Sequence, residues 1–352
     1  VRLIKGLLKL VLGLAALVII AAACLLAYLT VFEYRPDEAE EVVRLSNGSG
    51  TVSAGDELKI LAFNTGYAAL GETEDFFMDG GESVMPDNED IVKNNMEGIQ
   101  NILKDNPADV ILLQEVDISS KRSFKQNQRE YYPQELGLGS SFALNFKCAY
   151  VPYPLPTIGK VESGLLTMTE LDVSDASRVS LPVPFSWPMR VANLKRCLLV
   201  SRISLEGGRE LVIVNLHLEA YDDGAGKAEQ TEVLMNLLIS EYEKGNYVIA
   251  GGDFNQTFPS VPDDLYTSAD GGWKPGELEA DMLPEDWAFA VDYSSPTCRL
   301  LDKPYTGRDS ATLFVIDGYI VSPNVGVTAV ETLDCDFVYS DHNPVMLTVI
   351  LE

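Results

Sequence analysis

The hydrophobic pattern divides the chain into three stretches of different character. Residues 10–32 form an unbroken run without a charged side chain, and a helix would carry that run about 34 Å, enough to cross a bilayer. Residues 33–56 are polar and acidic and include Ser46-Asn47-Gly48-Ser49-Gly50, a composition expected of a tether. From residue 57 onward, short apolar runs rich in β-branched side chains recur at 58–64, 109–115, 164–168, 197–203, 210–217, 247–250, 313–321 and 345–351. These runs predict strands.

Helical spacing appears at 88–104, where Ile91, Met96, Ile99, Ile102 and Leu103 share a side, and at 225–243, where Val233, Leu234, Leu237 and Leu238 do. Many strands with few long helices predict an α/β domain with large mixed sheets rather than strict strand-helix alternation. The expected organisation is a short cytoplasmic segment at 1–9, a transmembrane helix at 10–32, a tether at 33–56 and a catalytic domain at 57–352. Three stretches read as long loops: 71–90, 151–162 and 259–286. Loops of that length in a compact domain form functional rims or mobile segments.

Charge gives the first stretch a direction. Arg2, Lys5 and Lys9 precede the apolar run, and Glu33, Asp37, Glu38, Glu40 and Glu41 follow it with only Arg35 opposing them. The positive-inside rule then keeps the N-terminus cytoplasmic and exports the domain to the extracytoplasmic side. The run is longer than the apolar region of a cleaved signal peptide, and no small-x-small cleavage site precedes the acidic stretch. Cys24, after three alanines, reads as a helix residue rather than a lipidated cysteine. The chain opens on Val1, which leaves room for an initiator methionine or a short leader ahead of it.

All 53 acidic residues and all but three of the 26 basic ones lie beyond the run, so the exported part carries a charge near −30. Such a field opposes a long polyanion and argues against tight binding of duplex DNA. Cys148, Cys197, Cys298 and Cys335 could form two bridges in an oxidising compartment, with three connectivities open, and none has the spacing of a zinc site.

Chemistry concentrates at strand ends. Asn64 closes the 58–64 run, Glu115 closes 109–115, Asn215 and His217 close 210–217, and Asp253 and Asn255 follow 247–250. Asp317 lies within 313–321, and Ser340-Asp341-His342 precedes the last run. One carboxylate after a strand is commonly a turn former; six such sites in one domain are not explained that way. The chain has only two histidines, His217 and His342, and both fall in these segments.

Taken in order, Ala62-Phe63-Asn64, Leu113-Gln114-Glu115-Val116, Asn215-Leu216-His217-Leu218, Gly252-Asp253-Phe254-Asn255, Ile316-Asp317-Gly318-Tyr319-Ile320 and Ser340-Asp341-His342 resemble the endonuclease/exonuclease/phosphatase superfamily typified by deoxyribonuclease I and neutral sphingomyelinase. The resemblance implies a four-layer α/β/β/α sandwich of two mixed sheets flanked by helices, and a phosphoesterase using Mg²⁺, with Mn²⁺ or Ca²⁺ as alternatives. Hydrolysing a phosphate ester requires neutralising phosphoryl charge, activating a water and stabilising the leaving oxygen, and a hard cation takes oxygen ligands. The implied metal positions are Asn64, Glu115 and Asp341. In the implied catalytic set, Asp253 activates the water, Asn255 donates to the phosphate, Asp317 orients His342, and His217 is a general acid. Arg196 resembles a phosphate-contacting arginine, with a strand-edge cation as the equal alternative, and Asn215 joins it as a substrate-binding position.

One departure stands out. Where deoxyribonuclease I has a glutamate supporting the equivalent of His217, residues 142–151 carry no carboxylate and offer Lys147, which would favour a more anionic substrate group. The expected function is a membrane-anchored, metal-dependent phosphoesterase acting on a phosphodiester or phosphomonoester. An extracellular deoxyribonuclease I-like endonuclease and a sphingomyelinase-like lipid phosphodiesterase are the alternatives; a silent binding module would have no need of so many retained groups. The expected partners are a phosphate-ester substrate and the membrane, with nucleic acid disfavoured by charge. The inositol-phosphatase Trp-Cys-Asp-Arg segment is missing.

Overall fold

Strands apolar on both faces need cover on both sides, and this chain supplies it by stacking two sheets and placing helices outside them. The computed structural model describes residues 2–42, 44–222, 224–262, 265–266 and 273–352. One seven-stranded sheet runs, in spatial order, Ala39–Glu41, Val173–Ser180, Cys197–Ser204, Glu210–His217, Tyr247–Asp253, Asp317–Val321 and Ala288–Ala290. The other runs Val325–Thr332, Val345–Leu351, Glu57–Asn64, Val110–Asp117, Gly159–Thr169, Gly139–Val151 and Arg44–Ser46. Both mix parallel and antiparallel pairs.

Ile60, Leu112, Ile213, Ile249, Tyr319 and Leu347 fill the space between the sheets. Outside them, α2 (Glu89–Asp105) and α3 (Gln128–Leu136) cover the second sheet, and α4 (Ala225–Glu243) covers the first. α2 starts where Asn88 accepts from the backbone N–H groups of Asp90 and Ile91, an N-cap that satisfies two otherwise unpaired donors. It buries Val92, Met96, Ile99 and Leu103. The four-layer sandwich expected from the resemblance is the fold observed.

At the N-terminus, α1 (Arg2–Val31) is long and apolar enough to cross a membrane, and residues along its first two thirds are uncovered by the rest of the molecule. Its C-terminal turns are different. Leu29 is buried with Phe146, Val151, Val191 and Ala192, and Leu25 and Leu26 pack beside it.

The expected tether at 33–56 is corrected by the structure. Ala39–Glu41 pairs with Val173–Ser180 and Arg44–Ser46 pairs with Gly139–Val151, so this segment closes one edge of each sheet. Glu33 is buried among Arg190 and Lys195, at 2.9 and 3.4 Å. Polar composition hid this because edge strands pair through their backbone and leave side chains in water.

The same reason explains Val325–Thr332, which sequence pattern missed: it pairs with a neighbour on one side and exposes its central residues. Val173–Ser180 was missed as well, a strand with partners on both sides whose polar side chains are largely exposed or half-buried. The 313–321 run is two pieces, Leu313–Phe314 and Asp317–Val321, in different sheets. The 151–162 loop shrinks to a connection between two long strands, Gly139–Val151 and Gly159–Thr169. In the 259–286 loop, residues 263, 264 and 267–272 lie outside the described residues. All five cysteines are free thiols, and none of the pairings open to Cys148, Cys197, Cys298 and Cys335 is formed.

Candidate active site

Register builds the site. In the first sheet Asp253 lies opposite His217 on one neighbour and opposite Asp317 on the other, which puts three functional groups in one row at the sheet's end. Gly252 allows that row: it has φ +141°, and a Cβ there would lie 2.1 Å from the Leu216 carbonyl oxygen. In the second sheet Asn64 ends its strand opposite Gln114, and the ladder slips between Leu113 and Val116. Glu115 occupies that bulge with φ +56°, a conformation that costs a non-glycine residue about 1 kcal/mol or more and is held only where the surroundings enforce it. Ser340, Asp341 and His342 enter from the turn before Val345–Leu351. Ser340 Oγ donates to the Asn64 carbonyl at 2.8 Å, tying that turn to the second sheet.

The side chains then converge. His342 Nδ1 and Asp317 Oδ2 are 2.8 Å apart. Asn64 Nδ2 lies 3.0 Å from Asp253 Oδ2, 3.3 Å from Glu115 Oε1 and 3.4 Å from His342 Nε2. His217 Nε2 reaches Asp253 Oδ2 at 3.3 Å. Asn255, at φ +52°, donates its amide to the Leu218 carbonyl at 2.9 Å, and its backbone N–H donates to Asp253 Oδ1 at 2.8 Å.

Burial and neighbours set the proton affinities. Burial raises Asp253, the nearby Asp317 charge adds to this, and His342 opposes it. Burial opposes the charged form of His342, yet Asp317 at its Nδ1 outweighs this and raises it. Burial raises Asp341 to about 6. His217 is lowered, by burial and then by Arg196 and His342, so it is neutral. Its Nε2 lies beside Asp253, and the general-acid role implied by the resemblance would need the protonated form.

Asn64, Glu115, Arg196, His217, Asp253, Asn255, Asp341 and His342 all line one cavity of about 430 Å³. Arg196 is buried against Glu219, with Nε to Oε2 at 3.1 Å, so it is a positioned cation rather than a strand-edge one. Two expected substrate contacts fall elsewhere. Asn215 sits between the sheets, donating to the carbonyls of Leu113 and Leu166 and accepting from Gln114 Nε2 at 2.8 Å. Its polar atoms are consumed by the packing. Lys147 is exposed, 6.0 Å from the Tyr34 ring, because a bulge between Leu144 and Phe146 turns Asn145 and Phe146 to the cavity instead.

Sequence reasoning missed several groups in the cavity wall. Asp79 accepts from the Tyr221 hydroxyl at 3.0 Å, and burial raises its proton affinity. Arg122 lies over the Tyr67 ring and pairs with Asp117 at 3.1 Å. No motif marks these residues, since only the folded chain brings them to Glu115 and His342. Each long loop contributes: Phe76, Phe77 and Met78 from the first, Val151, Tyr153 and Ile158 from the second, and Trp273 from the third.

The donor set suits a hard cation. Arg122 and Arg196 are committed to Asp117 and Glu219, and neither Glu115 nor Asp341 has an ion-pair partner among the described residues. A buried carboxylate such as Asp341 without an ion-pair partner is costly, and a divalent cation held between it and the half-buried Glu115 would offset that cost. One oxygen each of Asp253 and Asp317 and a ring nitrogen of His342 also lie within 4.8 Å of one another, a cluster that could hold an ion. The hydrogen bond that already joins His342 to Asp317 favours Glu115 and Asp341 as the all-oxygen pair. Asn64, expected as a third ligand, turns its amide nitrogen to the carboxylates while its oxygen accepts from the Gly66 N–H at 3.1 Å. In this arrangement it is a donor.

Solved structures with the same fold include endonuclease/exonuclease/phosphatase proteins from Beutenbergia cavernae (16% identity, 84% of this chain and 72% of that one, TM-score 0.56) and Bacteroides vulgatus (15%, 84% and 100%, TM-score 0.54). D. rerio TDP2 complexed with a single-strand DNA product also resembles it (15%, 84% and 99%, TM-score 0.50). No curated protein matches the sequence. Residues 88–345 match the Endonuclease/Exonuclease/phosphatase family, whose members are hydrolases acting on phosphate esters and generally use divalent metals. This chain belongs to that family.

Proposed function

We propose that this chain is a metal-dependent phosphoester hydrolase, held at a membrane by α1. The observation that carries this reading is the convergence of Asn64, Glu115, Asp253, Asp317, Asp341 and His342 at one end of a single cavity or directly behind it. Glu115 and Asp341 would hold a divalent cation, which neutralises phosphoryl charge when bound.

Asp253 is kept in place by Asn64 and His217 and has an elevated proton affinity, so it takes a proton from the attacking water. The water oxygen forms the new P–O bond as the ester P–O bond breaks. His342, charged and oriented by Asp317, stabilises the phosphoryl oxygens and supplies a proton to the leaving oxygen.

The docking of Leu25, Leu26 and Leu29 and the burial of Glu33 support retention of α1 as an anchor, since cleavage of the helix would strip apolar cover from Phe146 and Val191. Positive charges before α1 and acids after it support an extracytoplasmic domain. The full chain in detergent should hydrolyse bis-(p-nitrophenyl) phosphate with Mg²⁺, Mn²⁺ or Ca²⁺ and lose this with EDTA. Turnover surviving both EDTA and His342→Ala would overturn the reading.

A further inference from the structure

The cavity has two unlike ends. Beyond the carboxylates its wall is apolar: Phe76, Phe146, Val151, Ile158, Ala192 and Leu194. A phosphate ester with a small polar alcohol has no use for that surface. The apolar wall is continuous with the place where α1 docks, since Phe146, Val151, Ile158, Ala192 and Leu194 belong to the same cluster as Leu25, Leu26 and Leu29. Met189 and Tyr153 belong both to the cavity wall and to the exterior, at 53% and 37% exposed, and so mark its mouth. Beside them Leu155 is 88% exposed and Trp187 54%. Trp187 Nε1 donates to Thr30 Oγ1, in the last turn of α1, at 3.1 Å.

Charge follows the same geography. In a domain with a large acidic excess, residues 151–158 and 185–194, which line this mouth, contain no carboxylate, and the cations beside them are neutralised in pairs, Lys160 with Glu162 and Arg190 and Lys195 with Glu33. Helix length points the same way. The charge-free stretch clear of the domain, residues 10–24, spans about 22 Å as a helix, short of a hydrocarbon core of about 30 Å. Lys9 can snorkel over part of that difference, and an apolar collar sunk into the interface supplies the rest.

We propose that this rim seats in the bilayer that α1 spans, and that the apolar half of the cavity receives the hydrocarbon chain of a lipid phosphate ester drawn from that bilayer. The ester phosphorus then rests at the carboxylate end while the chain extends through the mouth between Met189 and Tyr153. The proposal rests on the phosphoesterase reading above and adds the substrate class. Exposed Leu155 and Trp187 are the insertion points, aromatic and aliphatic side chains of the kind that populate membrane interfaces.

The test uses the full chain and alkyl p-nitrophenyl phosphates, which share one leaving group. From methyl to octyl, kcat/KM should rise about fourfold per methylene until the cavity is filled, chiefly through KM. With the full chain in phosphatidylcholine/phosphatidylglycerol nanodiscs containing the hexadecyl ester, Leu155→Asp should lower hexadecyl turnover at least about tenfold and leave methyl ester turnover unchanged. A flat chain-length series, or a Leu155→Asp variant as active on the hexadecyl ester as the parent, overturns the lipid proposal while phosphoesterase activity stands. Preference for single-stranded DNA over every alkyl ester overturns it likewise. Failure on all esters with any metal sinks the phosphoesterase reading itself.

Discussion

His342 Nδ1 and Asp317 Oδ2 meet at 2.8 Å although 25 residues separate them in the chain. The bond fixes the imidazole's orientation and leaves Nε2 facing Asp253 and Asn64. The carboxylate at Nδ1 raises the proton affinity of His342 against the cost of burial, which is how a site surrounded by apolar side chains keeps an imidazolium.

Asp317→Asn keeps the shape and removes the charge. The kcat should fall about hundredfold or more. Because Asp317 raises His342, its loss lets the imidazolium give up its proton at lower pH, so the alkaline limb of the kcat profile moves to lower pH. A pH–rate profile of the variant checks both, with far-UV circular dichroism confirming the fold; an unshifted limb would remove His342 from the titrating role.

Asp341 is buried with its proton affinity raised to about 6. Below that pH a proton competes with the cation, so Mg²⁺ affinity should weaken about tenfold per pH unit on acidification, as calorimetry would show. A raised folded pKa also means that stability falls as pH rises from the ordinary carboxylate value of 3.8 to about 6, and that the full cost is present above this. Asp341→Asn should therefore stabilise the metal-free protein at pH 7.5, on the order of 2 kcal/mol, and abolish stabilisation by Mg²⁺. Urea unfolding with and without the cation reads both effects.

Glu241 joins α4 to the first sheet through Arg202, with two guanidinium contacts of 2.7 and 2.9 Å. Burial opposes its charge, but Arg202 and Lys244 outweigh this and lower it to about 2. A depressed carboxylate contributes stability above its ordinary value of 4.5 and loses it as pH falls through about 2. Glu241→Gln should cost about 2 kcal/mol at pH 7, and the gap from the parent should narrow from pH 4.5 downward. Denaturation midpoints at pH 7 and pH 3 test this; a gap independent of pH would assign the loss to packing.

Residues 33–56 are part of the domain, so a fragment of 50–352 should be less stable than one of 33–352. The shorter fragment lacks the edge strands Ala39–Glu41 and Arg44–Ser46 and leaves Lys195 buried without Glu33. Losing the partner of a buried cation costs about 3 kcal/mol. Thermal unfolding of the two fragments compares them, and equal midpoints would show that the segment is a tether after all.

The amino-acid sequence by itself determined the apolar α1, the strands rich in β-branched residues, the two long amphipathic helices, and the residue types able to perform phosphate chemistry. Those signals are local: a run's length, a period, a side chain's chemistry. Tertiary structure decided which of the candidates meet. Asn64 and His342 are 278 residues apart in the chain and 3.4 Å apart in space, while Asn215, two residues from His217, is sealed between the sheets. Strand alternation assigns a side chain to a face, but whether that face lines a cavity or a neighbouring sheet depends on register and bulges, as at Glu115 and Lys147. The edge strands of 33–56 and the apolar half of the cavity were invisible for the same reason, because backbone pairing and enclosure are properties of partners distant in sequence.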